Sequence, residues 1–498
     1  MTSFFDKIFT RHPVKTRRFL EMLPGLVSWT LILFPFWGSI LMPYVLAYFI
    51  LFFDIYWFYK SFSMAFFAYV AAKKIRESEK TNWMELLKES KNLKRLHHIV
   101  VIPTYTEGLH VLRKSIDSLS KQTFPTKQIL VVLAFEEREE KAKEKAIILK
   151  EEYKGRFGTV LATFHPDVEG EVKGKSSNES YASKQAYKEF VESGNINIDY
   201  ATISSVDADS IFDKQFFACL SYKFLNNPNP HNKFWQSATV YYNNIWEVPA
   251  PTRLISFFGS LWRTAVLLHE NRLIANSTYT LSFKLLKEIG FWDTDVIPED
   301  YRIFFKAFYK KKGEISIDPI FLKTSMDAPH STNYFKSLKN KYQQEERWSW
   351  GVSDDPLFIE WWLRVPNVPF FKKSIILFNV LLDHFLWPVN WFIITIAANV
   401  IPFINPAFSR TTLGYNLPKI AGLILTTCIF AFLTMIIIDF KHNRESHPAL
   451  SKFRQFMFPL EFILLPLVGF FLSTLPAIIS HTKLMLGKRM EYKVTEKV

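Results

Sequence analysis

Cysteine is nearly absent, with two in 498 residues. That excludes a disulfide scaffold and a zinc-ribbon protein, both of which need paired cysteines. No internal repeat and no low-complexity linker interrupts the chain. Disorder is excluded by the apolar share, 49%, of which aromatic residues are a large part. The net charge is +14, which could suggest a nucleic-acid partner. Such a partner would want basic residues on one face with interleaved aromatics. Here they gather at the flanks of apolar runs and alternate with acids elsewhere, so no nucleic acid is expected.

What is present is uneven. The mean hydropathy of +0.03 averages unlike parts. A basic start (Lys7, Arg11, Lys15, Arg17, Arg18) precedes apolar runs from Leu23 to Met42 and from Pro43 to about Ala72. As helices, each can span about 30 Å of hydrocarbon. The first could be the apolar part of a signal peptide, but no small-residue cleavage site follows it. Asp54 and Lys60 sit inside the second run. A mid-span Asp costs about 3 kcal/mol, and each apolar neighbour returns about 0.3–0.6 kcal/mol. From Lys73 to about Arg364 the chain is polar, then apolar runs resume over Ser374–Ile404, Leu417–Ile438 and Phe456–Ser480.

The basic residues set an expected orientation. The N-terminus, the flank Lys73–Lys80 and the loop with Lys441, Arg444, Lys452 and Arg454 mark the cytoplasmic side; the loop Asn405–Asn416 carries only Arg410. The tail, with Lys483, Lys488, Arg489, Lys493 and Lys497, is basic too, and one crossing by the last block would put it outside. Either that block is re-entrant, as Pro459, Pro466 and Pro476 permit, or Ser374–Ile404 folds as a hairpin about Pro388. The count is five or six spans. The expected layout is 1–72 basic segment and two spans, 73–351 cytoplasmic domain, 352–373 interfacial amphipathic segment, 374–480 membrane region and 481–498 basic tail.

Within the polar domain, short apolar runs (His98–Pro103, Gln128–Phe135, Val160–Phe164, Tyr200–Val206) alternate with helical patterns (Leu109–Lys121, Glu136–Tyr153, Ser183–Glu192). Such alternation predicts a parallel sheet covered by helices. Ligands in such sheets bind beyond the carboxyl ends of the strands.

Polar clusters fall there. Pro103–Glu107 ends the first strand with hydroxyls and a carboxylate, although an ordinary turn capped by Thr104 or Thr106 would look the same. Asp207-Ala208-Asp209 follows the fourth run. Carboxylates at i and i+2 point the same way from an extended chain and can hold Mg²⁺ or Mn²⁺ beside phosphate oxygens. Glu299 and Asp300 open a helical pattern to Lys312, where acids suit a first turn and could equally supply a general base. On a helix, Gln344, Arg347 and Trp348 share one face. Arg can grip a phosphate with two bonds, and Trp offers a flat ring to a sugar, or the helix simply lies on a membrane surface.

In this order, between membrane blocks, the motifs DAD, PED and QEERW resemble those of the membrane-embedded family 2 glycosyltransferases, such as cellulose, chitin and hyaluronan synthases. The resemblance covers about His97 to Gly351. It implies an α/β GT-A (Rossmann-like) domain inserted between transmembrane helices, and an enzyme that uses a nucleotide-diphosphate sugar donor. By analogy, Thr104, Tyr105 and Glu107 lie around the nucleoside, and Lys175 approaches the nucleotide from a loop. Asp207 and Asp209 hold the donor, Asp209 through Mg²⁺ or Mn²⁺. Asp300, within the Glu299–Asp300 motif, is the base. Arg347 stabilises the leaving diphosphate, and Trp348, with Gln344 in the same motif, lines the acceptor site. The second strand ends in Glu136 where the family usually shows Asp, so Glu136 substitutes there. The expected acceptor is a glycan, extended processively, or a lipid. Membrane lipids are further partners. Asp54 and Asp383 could line a path for the product, or could be paired charges. A transporter with a cytoplasmic binding domain is the rival from another class, but transport needs no such base.

Overall fold

A computed structural model describes residues 2–442 and 452–491. Its sheet is built on β1 (His97–Thr104) and β2 (Ile129–Glu136). β2 is buried along its whole length, as an unbroken apolar run in a parallel sheet should be. Alternate residues serve opposite faces. Ile99, Val101, Val132 and Ala134 join one core cluster; Val100, Ile102, Val131 and Leu133 join the other. β3 (Thr159–His165) and β4 (Ala201–Ser205) flank them, both parallel. Four strands expected from the sequence therefore form one parallel block, with ends shifted by a residue or so.

The whole sheet is not parallel, however. With β5 (Ile211–Phe212), β6 (Lys233–Val240), β7 (Tyr279–Ser282) and β8 (Ser316–Ser325), the order is β3-β2-β1-β4-β7-β6-β8-β5. β7 runs antiparallel to both β4 and β6, and β5 antiparallel to β8. Strands and helices still alternate beyond β4, and β6 pairs with β8 in parallel, but β7 is inserted between β4 and β6 in the opposite sense. β7 has only four residues and passes directly into the helix Phe283–Ile289.

Among the described residues, five helices are long and apolar enough to cross a membrane: Pro13–Leu41, Pro43–Lys80, Phe370–Ile404, Thr412–Asp439 and Met457–Met485. Exposed Phe52, Phe66, Leu423 and Ile437 give them outward apolar faces. Phe370–Ile404 is continuous through Pro388, so the hairpin there is not formed. A π-turn at Ile393–Ala397 takes up irregularity one turn later.

The last helix touches the α/β domain along its length. Glu461 pairs with Arg253 at 2.7 Å, and Phe458 packs on Trp246 with ring centres 5.2 Å apart. Val468 and Leu472 share a core cluster with Tyr241 and Phe257. Ser349 Oγ donates to Ser480 Oγ (2.9 Å), and Lys483 lies 2.5 Å from Glu346. Both ends of this helix are thus at the domain, and Arg489 pairs with Glu21 near the start of the chain at 3.3 Å. Arg444, Lys493 and Lys497 lie outside the described residues, as do the side chains of Lys452 and Arg454.

Asp383 is a paired charge. It bonds Arg272 and lies 3.5 Å from Lys60 Nζ. Asp54 is buried, with no hydrogen-bond partner among the described residues.

Candidate active site

Lys175 is not in a solvated loop. It opens the helix Lys175–Ala186, behind Gly174, and its side chain is 12% exposed. Its Nζ lies 2.8 Å from Asp207 Oδ1, 2.8 Å from Glu299 Oε1 and 3.9 Å from Glu179 Oε1. It also donates to the Ser277 carbonyl at 2.8 Å. Burial disfavours the ammonium, but Asp207, Glu299 and Glu179 together hold Lys175 well above the ordinary lysine range. Glu179 is buried and faces Glu299; despite Lys175, its carboxyl is pushed up to about 8.

Asp300 sits on the adjoining turn, at the start of the helix Glu299–Lys310. Its Oδ2 accepts from Ser277 N at 3.1 Å, and its Oδ1 from Tyr301 N at 2.9 Å. Burial and the neighbouring Glu299 raise its carboxyl to about 7; Lys175 and the two N–H donors pull the other way. A carboxyl poised near neutrality suits a general base. Ser277 holds φ of 53°, a left-handed conformation uncommon outside glycine, and this aims its N–H and its carbonyl at two different site residues.

The loop 276–278 is fixed from below by Gln236. Its Oε1 accepts from Asn276 N at 2.9 Å, and its Nε2 donates to the carbonyls of Asn276 (3.2 Å) and Thr278 (3.1 Å). Thr278 Oγ1 accepts from Asp207 N at 3.2 Å, tying the loop to the Asp-x-Asp turn. Asp209 is buried, and its Oδ2 accepts from Asp327 N at 2.7 Å.

Among the described residues no group of three or more His, Cys, Asp or Glu is arranged to hold a metal by itself. Mg²⁺ does not require one, because one or two carboxylates suffice when phosphates and water complete the shell. The Asp207 carboxylate is 24% exposed and already carries a cation, the Lys175 ammonium. The donor set thus fits a divalent ion bound together with a diphosphate.

Thr104, Tyr105, Glu107 and Glu136 form a second group, at the carboxyl ends of β1 and β2. Thr104 Oγ1 and Tyr105 N both donate to Glu107 Oε2, at 3.0 and 2.5 Å. Arg138 donates to Glu136 at 2.5 Å and lies 4.0 Å from the centre of the Tyr105 ring. A cleft between Glu136, Arg138, His165, Asp167 and Lys173 opens beside them.

Gln344, Arg347 and Trp348 lie on the helix Tyr334–Ser349. Gln344 is buried and accepts from Lys341 Nζ at 2.9 Å. Arg347 is half-buried. The Trp348 ring has Lys341 Nζ at 4.7 Å, the Arg263 guanidinium at 5.0 Å and the Tyr241 ring at 6.1 Å. Arg263 Nε reaches Asn276 Oδ1 at 3.3 Å. Trp348 is thereby linked to the loop that holds Asp300.

Sequence reasoning missed Glu179, Gln236, Arg263 and Lys341. Glu179 had a signal, since it lies four residues after Lys175 on a helix. Gln236, one of several polar residues in the strand Lys233–Val240, had none.

The model described as "Glycosyl transferase family group 2" matches residues 202–441. The match supports a family 2-like glycosyltransferase. The fold agrees: a GT-A-like α/β domain with a mixed sheet, flanked by long apolar helices. No curated protein matches the chain. Among solved structures, similar chains include a mannosyltransferase, PcManGT from Pyrobaculum calidifontis in complex with GDP-Man and Mn²⁺. It is 14% identical, with a TM-score of 0.42, over 80% of this chain and 100% of that one. Another is S. aureus TarS 1-349 in complex with UDP, 14% identical, TM-score 0.38, over 68% of this chain and 91% of that one.

Proposed function

We propose that this protein is an inverting glycosyltransferase of a cell membrane, with its α/β domain in the cytoplasm. It moves a hexose from a nucleotide-diphosphate sugar to a growing glycan. The observation that carries the reading is the half-buried Asp300, raised toward neutrality and adjacent in sequence to Glu299 of the Lys175–Asp207–Glu299 cluster.

The nucleoside end of the donor lies at the carboxyl ends of β1 and β2, among Thr104, Tyr105, Glu107 and Glu136. Lys175 and Asp207 face the diphosphate. Mg²⁺ or Mn²⁺, held by Asp209 and Asp207, supplies positive charge to the diphosphate when bound. Asp300 accepts the acceptor hydroxyl's proton as that oxygen bonds to the anomeric carbon. The carbon–phosphate-oxygen bond breaks on the opposite face, and the nucleoside diphosphate leaves with the bonding pair. Lys175 and Arg347 balance the charge that develops on it. Such electrostatic stabilisation is usually the largest single term in catalysis.

Tyr241 and Trp348 give the acceptor an aromatic floor, and Tyr241 shares a core cluster with Met435, Val468 and Leu472 of the apolar helices. That continuity supports a glycan acceptor that leaves toward the membrane. Membranes containing the protein, incubated with a panel of labelled nucleotide sugars, should yield a ladder or high polymer from one donor. A single labelled lipid band would replace polymerisation with one-sugar transfer to a lipid. No turnover of any donor would overturn the reading.

A further inference from the structure

Asp300 accepts two backbone hydrogen bonds, and both donors trace to one turn of one apolar helix. Ser277 belongs to the segment that begins near Arg272. Arg272 bonds Asp383 of the helix Phe370–Ile404, and Asp383 in turn lies 3.5 Å from Lys60 of the second long apolar helix. Asn379, one turn earlier, donates to the Asn271 carbonyl at 3.1 Å. The second donor, Tyr301 N, belongs to a residue whose ring lies against His384, with centres 6.0 Å apart. His384 Nδ1 is 2.7 Å from Asp355 Oδ1, and both residues are buried.

Consecutive residues of an apolar helix thus hold the two sides of the base. Within the domain Gln236 holds the loop and Arg302 ties the helix Glu299–Lys310 to Asp354, and the apolar helix gives each a second support from the other side. A charge in an apolar helix is costly unless it is paired, and the part-exposed Lys60 and Asp383 lie 3.5 Å apart. Their pairing with Arg272 sets where that helix stands against the loop.

We infer that Asp383 and His384 are positioning residues for the base: they lock the Ser277 and Tyr301 amides onto Asp300 and so make catalysis depend on the seating of the helix Phe370–Ile404. The inference rests on Asp300 as base. It concerns geometry at one proton-transfer site, not donor binding. Charged neighbours that face Asp300 directly, Glu299 and Lys175, are untouched by either substitution.

The test uses the full chain in detergent or nanodiscs, with Asp383→Asn, His384→Ala and the conservative Asp383→Glu. Small misplacements of a catalytic group are costly, and Asp383→Asn and His384→Ala should each lower kcat about tenfold. Donor KM should stay within about twofold, because donor contacts are not altered. Loosened N–H donors favour the carboxylate less, so the rising limb of the kcat/KM profile should move to higher pH. Asp383→Glu should recover most of the activity and the original limb. Should Asp383→Asn fail to fold, Arg272→Lys reads the same contact from its other side. Unchanged kcat and pH limb in folded variants would overturn the inference, as would a loss of kcat with an unmoved limb. Wild-type protein that turns over no donor, or whose Asp300→Asn variant is fully active, would instead overturn the role of Asp300 itself.

Discussion

Asp300 and Arg302 are two residues apart on one helix, yet they enter opposite kinds of charge cluster. On the Arg302 side the charges answer one another. Arg302 makes two bonds to Asp354, at 2.8 and 2.5 Å, and reaches Asp295 and Asp293 at 3.3 and 3.6 Å. Lys306, one turn on, takes Asp293 at 2.5 Å. Burial leaves the Asp354 carboxyl raised, with Arg302 offsetting only part of the effect. On the Asp300 side one lysine serves Asp207, Glu299 and Glu179, and Asp300 stands beside them with only backbone donors. The first arrangement stores stability. The second leaves several carboxyls to share one lysine, which is poor for folding and useful for moving protons and gathering cations.

Substitutions on the two sides should therefore separate activity from stability. Asp300→Asn should lower kcat by about 10²–10⁴-fold with the thermal midpoint nearly unchanged and nucleoside-diphosphate binding by calorimetry retained. A variant with wild-type kcat would place Asp300 among the structural charges. Arg302→Ala should do the reverse. Leaving Asp354 buried without its partner costs about 3–5 kcal/mol, readable as a drop in unfolding midpoint in detergent. If Arg302→Ala were as stable as wild type, the contrast between the clusters would fail.

Smaller effects test the electrostatics around the base. Its carboxyl stands at about 7, so wild-type kcat/KM should rise with pH through that value as the carboxylate forms. Lys175→Met removes a positive neighbour that lowers Asp300, so the rising limb should move to higher pH. Glu299→Gln removes a negative neighbour that raises it, and the limb should move the other way. Shifts of the same sign in both variants would show that Asp300 does not sense this cluster.

Much of this was legible in the sequence. β1 to β4 are apolar runs of strand length, and no other element of the domain competes for them. The Asp-x-Asp, Glu-Asp and Gln-x-x-Arg-Trp motifs announce themselves by residue type. The short β7 was not legible, because four residues carry no periodicity. Neither was the burial of Lys175, whose surroundings come from three separate segments. Asp383 shows the limit from the membrane side. Its run predicts a span, but an Asp in a span is a cavity group or a paired one according to what another helix and a distant loop supply.

Sequence alone determined the division of the chain into apolar helices and an α/β domain, because hydropathy and periodicity are local and burial must satisfy them. It determined which residue types are on hand for chemistry. Tertiary structure decided which carboxyl is poised near neutrality, because desolvation and the sum of neighbouring charges depend on distance in space. It also decided that the last apolar helix rests on the domain at both ends, since length and composition suit a crossing and a surface-hugging helix equally well.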